Sequence, residues 1–135
     1  VIPALISKFN SNKKNKKIQI FGTGNPLREF LYDEDLAEAI LLILRSKQSK
    51  LIKICDNKFP IINVGSGRNI SIKNLVKKIS YLSNYKGKIF FNKKYPDGTM
   101  KKDLNSKRIR SLGWKPKTSL DIGLKKAINS FLNKR

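Results

Sequence analysis

The stretch Phe21-Gly22-Thr23-Gly24-Asn25-Pro26-Leu27-Arg28-Glu29-Phe30-Leu31-Tyr32-Asp33-Glu34-Asp35-Leu36-Ala37-Glu38-Ala39 changes backbone habit several times within a short span. Ile18-Gln19-Ile20-Phe21 leads into it with the alternation of a half-buried strand, and two glycines with Pro26 then turn the chain. Arg28-Glu29-Phe30-Leu31-Tyr32 reads as a second strand. Asp33 is placed to cap a helix, and Glu34 and Asp35 complement that helix's positive end. An arginine just beyond a Gly-x-Gly bend suits a phosphate, because its guanidinium presents a fixed fork of charged donors. Strand, bend, strand and helix in succession point to an α/β fold.

Upstream, Val1, Ile2, Leu5, Ile6 and Phe9 share one helical face, and Asn10 to Lys17 form a polar loop, the best candidate in the chain for mobility. Downstream, the helix opened by Asp33 carries an apolar stripe of Leu36, Ile40, Ile43 and Leu44 and closes over Ser46 to Lys50. Pro60 to Val64 reads as a short buried strand running into the Gly65-Ser66-Gly67 turn. Ser71 caps a helix with Ile72, Leu75, Val76, Ile79 and Leu82 at near-ideal spacing. Lys88 to Phe91 is another strand, and Tyr95-Pro96-Asp97-Gly98 is a turn with Pro second and Gly fourth. Ser106 starts a short helix that stops at Gly113-Trp114. Ser119 caps a last helix that buries Leu120, Leu124, Ala127, Ile128, Phe131 and Leu132. The expectation is one α/β domain of short strands with about four helices.

Composition narrows the function. The 135 residues carry 30 Lys and Arg against 9 Asp and Glu, for a formal charge of +21. Such a balance invites a nucleic-acid reading. Against it, 24 of the cations are Lys and they are spread along the whole chain instead of forming a stripe. Abundant Asn and Ile beside the Lys fit an AT-rich coding bias, so most of this charge is read as solvated surface that draws in anionic substrates. A single cysteine, Cys55, excludes an internal disulfide, and with no histidine a zinc or Cys/His catalytic site is not expected. No apolar run approaches the roughly 20 residues that span a bilayer. A reducing, cytoplasmic setting is expected.

Several pieces together resemble the C-terminal substrate domain of the GDP-L-fucose synthases, a family of extended short-chain dehydrogenase/reductases. They are Val1-Ile2-Pro3-Ala4-Leu5-Ile6 with Lys8, Phe21-Gly22-Thr23-Gly24 through Arg28-Glu29-Phe30-Leu31, Ile62-Asn63-Val64-Gly65-Ser66-Gly67, and Tyr85-Lys86-Gly87-Lys88-Ile89. Pro96-Asp97-Gly98-Thr99 with Lys102-Asp103-Leu104, then Leu112-Gly113-Trp114 and Ser119 to Leu124, complete the set. The glycine bend with its arginine and the Asn-Val-Gly segment are shared with other nucleotide-sugar epimerases and dehydratases. The Pro-Asp-Gly-Thr, Leu-Gly-Trp and Val-Ile-Pro-Ala-Leu pieces are narrower.

The resemblance implies a substrate-binding lobe over residues 1–135, with the Rossmann domain that holds NADP absent from this chain. The reaction it implies is NADPH-dependent epimerisation and reduction of GDP-4-keto-6-deoxymannose. It implies a GDP-sugar as partner, no specific nucleic acid, no membrane and no metal, and a homodimer joined through the missing domain. Arg28 is the candidate diphosphate clamp, with a salt bridge to Glu29 or Asp33 as the structural alternative. Lys8 matches a basic position that contacts substrate. Phe21 stands where the family usually has Trp and offers a flat face to a base or sugar, or else is a core aromatic. Asp97 is a candidate acceptor for nucleotide hydroxyls or amines, or simply favours its turn. No catalytic residue is assigned. The family's catalytic His directly precedes the segment matched by Val1, Cys55 does not match its catalytic Cys, and no tyrosine here has a Lys four residues later. Gly22-x-Gly24 also lacks the third glycine of a dinucleotide fingerprint. The chain alone is expected to be inactive. The other readings are a different NAD(P)-dependent epimerase or dehydratase of the same superfamily, or a basic nucleic-acid-binding module.

Overall fold

Ile18 and Ile20 alternate with Lys17, Gln19 and Phe21, and strand β1 (Lys17–Phe21) duly buries the two isoleucines and exposes both ends. The computed structural model describes residues 1–12, 17–55 and 60–133. The central part of the polar loop expected to be mobile, residues 13–16, lies outside them. The described residues fall into two compact units.

The first unit comprises Val1–Arg28, Ile70–Lys102 and Asp121–Arg135. Helix α1 (Ile2–Ser11) has Pro3 in its first turn, where a missing N–H costs nothing, and buries Leu5, Ile6 and Phe9. It packs on α4 (Ile72–Leu82), whose N-terminus Ser71 caps by accepting the Asn74 N–H at 3.2 Å. β1 pairs in parallel with β4 (Lys88–Asn92), with Ile18 opposite Ile89 and Phe21 opposite Asn92. Strand β2 (Leu27–Glu29) lies between β3 (Asn69–Ser71) and β5 (Lys101–Lys102), and it sets Arg28 opposite Lys102 in a parallel pair. The core is Phe9, Ile6, Leu75, Val76 and Ile79 with Leu124 and Ile128 from α6 (Leu120–Asn133). Phe9 meets Tyr85 edge to face at 5.3 Å. In α6 the inward stripe is narrower than expected, since Leu132 is exposed.

The second unit comprises Glu29–Asn69 and Asp103–Leu120. Ala39, Ile109, Leu112 and Trp114 form its centre, with Leu42, Ile43, Leu51 and Val64 packed against them. Helix α2 (Asp33–Arg45) departs from its expected reading in two ways. Its N-cap is Tyr32 and not Asp33, whose carboxylate instead accepts the neighbouring Glu34 N–H. Its buried face carries Asp35 and Ala39, while Leu36, Ile40 and Leu44 are exposed. After Ser46 a separate helix, α3 (Gln48–Ile54), forms where a closing segment was expected. With α5 (Lys107–Ser111) this makes six helices among the described residues instead of about four. Pro60 to Val64 makes no ladder pairing among the described residues, and Ile61 is exposed. A buried strand therefore does not form there.

Candidate functional site

All four expected substrate contacts, Lys8, Phe21, Arg28 and Asp97, belong to the first unit. The loop after β4 gathers them. A hydrogen-bonded turn closes from the Tyr95 N–H to the Asn92 carbonyl at 3.4 Å, three residues earlier than expected for Tyr95 to Gly98. The following residues are thus free of local pairing and reach the glycine bend instead.

Asp97 grips that bend. Its Oδ1 accepts the Thr23 N–H at 2.9 Å and its Oδ2 accepts the Thr23 hydroxyl. Gly22, at φ +81°, has the left-handed conformation that glycine adopts freely, and a Cβ there would overlap Asp97 Oδ1. Gly24, at φ +78°, leaves room for Phe91, whose Cε1 would stand 2.6 Å from an added Cβ. Both glycines are therefore required by conformation and by close approach. The bend leads into strand β2 and not into a helix, and the Ile72 and Lys73 N–H groups of the first turn of α4 are spent on the Pro26 and Gly24 carbonyls at 3.0 and 2.8 Å, so the residues do not fit a dinucleotide pyrophosphate.

Arg28 leans on the same loop. Its Nη1 donates to the Leu27 and Thr99 carbonyls, each at 2.7 Å, and Gly98 lies beside Nη2. No ion pair joins it to Glu29 or Asp33 among the described residues. The Glu29 carboxylate is committed elsewhere, accepting the Gly67 N–H at 2.6 Å and the Leu104 N–H at 3.0 Å. The structural alternative for Arg28 thus fails because backbone amides already occupy its would-be partner.

Phe21 is 59% exposed and is not a core aromatic. Tyr95 stacks on it, with ring centroids 4.0 Å apart and 26° between planes, and the Lys8 ammonium sits over the ring at 5.4 Å. Sequence reasoning treated Tyr95 only as a turn residue. The one available signal was the placement of an aromatic two residues before Asp97. The second unit holds a cleft of about 430 Å³ against Trp114, Pro116 and Leu42, remote in composition from this chemistry. Cys55, in that unit, is a half-buried free thiol. Among the described residues no helix is long and apolar enough to cross a membrane, and no group of three metal-ligating side chains gathers.

Known proteins resemble this chain in sequence and in fold. Residues 1–65 match the NAD dependent epimerase/dehydratase family. The chain is 39% identical to a GDP-L-fucose synthase from Sinorhizobium fredii and 33% identical to one from Escherichia coli, in each case over 98% of its length. It spans only 40% and 42% of those relatives. A GDP-mannoheptose C4 reductase from Campylobacter jejuni, solved with NADP bound, superposes with a TM-score of 0.81 at 30% identity, covering 98% of this chain and 44% of that one. The chain is thus a relative of the GDP-L-fucose synthases, an α/β segment of the extended short-chain dehydrogenase/reductase type that corresponds to part of those longer proteins.

Proposed function

We propose that this chain is the nucleotide-sugar-binding lobe of an NADPH-dependent epimerase/reductase that converts GDP-4-keto-6-deoxymannose to GDP-L-fucose. The observation that carries the proposal is the loop from Tyr95 to Thr99, which ties an exposed aromatic ring, a carboxylate and a guanidinium into one surface of the first unit. Arg28 clamps the diphosphate. Its Nη1 is anchored by two carbonyls, which fixes the fork and leaves Nε and Nη2 as the donors for ligand oxygens. Lys8 adds a second positive charge above Phe21. Asp97 holds the bend and offers its remaining lone pairs to hydroxyls or amines of the nucleotide.

NADP and the groups that move hydride and protons belong to another lobe, as does the contact that would make a homodimer. This lobe's contribution is position: holding the sugar in a reactive geometry lowers the barrier without any catalytic side chain of its own. Calorimetric titration of the chain with GDP tests the reading. Arg28→Ala is expected to weaken binding by on the order of tenfold or more, in keeping with a charge-assisted hydrogen bond. Equal affinity in the variant would remove Arg28 from the site, and NADPH oxidation by this chain alone would overturn the placement of the chemistry elsewhere.

A further inference from the structure

Phe21 is exposed, yet its ring already has two partners. The Tyr95 ring lies 4.0 Å away on one side, nearly parallel. The Lys8 ammonium lies over the ring as well, 5.4 Å from the same centroid. A planar ligand on Phe21 would therefore compete with a ring on one side and share the rest with a cation. The open aromatic surface of the site belongs to Tyr95, which is 46% exposed and meets no second ring or cation among the described residues. Two residues further on stands Asp97, and beyond it are the Gly98 and Thr99 contacts of Arg28. A planar group on Tyr95 would therefore extend the stack Lys8, Phe21, Tyr95 beside the diphosphate clamp.

We propose that Tyr95 is the stacking residue for the base of the nucleoside diphosphate, and that Phe21 acts through it, as a positioning residue that holds the Tyr95 ring in place. The proposal rests on the nucleotide-sugar reading above. A stacked base contributes on the order of a few-fold to a hundredfold in affinity, and an aromatic pair set in advance loses little freedom on binding.

The test compares GDP with inorganic pyrophosphate as ligands of the full chain, for the wild type, Tyr95→Ala and Tyr95→Phe. Tyr95→Ala is expected to weaken GDP by roughly tenfold and to leave pyrophosphate unchanged, while Tyr95→Phe retains wild-type affinity for both. Unchanged GDP binding in Tyr95→Ala overturns the proposal, and so does an equal loss of both ligands, which would mean that Tyr95 only supports the loop. If the wild type binds GDP no better than pyrophosphate, but both depend on Arg28, the stacking site is refuted and the phosphate clamp stands. If the wild type binds neither, both readings fall.

Discussion

Helices α4 and α2 both carry apolar residues at helical spacing, and those residues meet different fates. In α4 the residues expected to face inward do so, and Leu75, Val76 and Ile79 have no exposed surface at all. In α2 three of the four residues of the expected stripe, Leu36, Ile40 and Leu44, face outward, with Leu44 75% exposed, while Ile43 packs inward beside Asp35 and Ala39. The difference lies in what meets each helix. α1 and α6 bring Phe9, Leu124 and Ile128 to the unit that holds α4. α2 packs Ala39, Leu42 and Ile43 in a cluster with Ile109, Leu112 and Trp114, and Trp114 and the segment after it add hydrogen-bond donors. Trp114 Nε1 donates to the Asp35 carbonyl at 3.2 Å, and the Asp35 carboxylate accepts the Lys117 N–H at 3.2 Å and the Thr118 N–H at 3.0 Å. A carboxylate satisfied in this way sets the rotation of the helix, because a buried charge without these donors would cost far more than an exposed leucine.

The comparison can be broken most sharply in α4. Leu75→Ala removes a fully buried side chain and is expected to destabilise the protein by about 2–5 kcal/mol in urea unfolding. A loss under about 1 kcal/mol would show that α4 is not the centre of its unit. Next in size is Asp35→Ala, which orphans two backbone N–H groups next to a buried indole. An expected loss of about 2–3 kcal/mol follows from the cost of unpaired buried donors. Wild-type stability in this variant would mean that apolar contacts, and not the carboxylate, orient α2. Smallest is Leu44→Ala, expected to change stability by no more than about 0.5 kcal/mol because its side chain is already in solvent. A large loss at Leu44 would return the stripe to the interior and erase the contrast.

The two units also differ in how far their sequences could be read. In the first, periodicity and capping carried almost everything: the Ile18/Ile20 alternation, the Ser71 cap and the α4 stripe all reappear in space. These signals are local, since an N-cap needs only the amide three residues on and a strand needs only its own alternation. In the second unit the decisive partners lie far along the chain. Asp35 finds Lys117 and Thr118, and Glu29 finds Gly67 and Leu104. Asp35 read as a charge complementing a helix end, and Glu29 as a possible partner for Arg28. Both turned out to accept backbone amides from distant segments. The failure of Pro60 to Val64 to form a strand has the same root, because a ladder needs a neighbour and none of the described residues supplies one.

For the candidate site, the chain's own order of residues specified the chemistry available: a guanidinium beyond a glycine bend, a carboxylate before a glycine, and a ring at a strand's end. Residue types and short spacings are enough for that, because charge, planarity and backbone freedom are properties of single side chains. Folding alone decided which groups meet. The Tyr95 to Thr99 loop crosses more than seventy residues of sequence to engage Phe21, Thr23 and Arg28. In doing so it covers one face of Phe21 and leaves the open ring on Tyr95. Contacts of that range depend on the parallel pairing of β1 with β4, which brings the ends of both strands together. No short window of the chain contains that pairing.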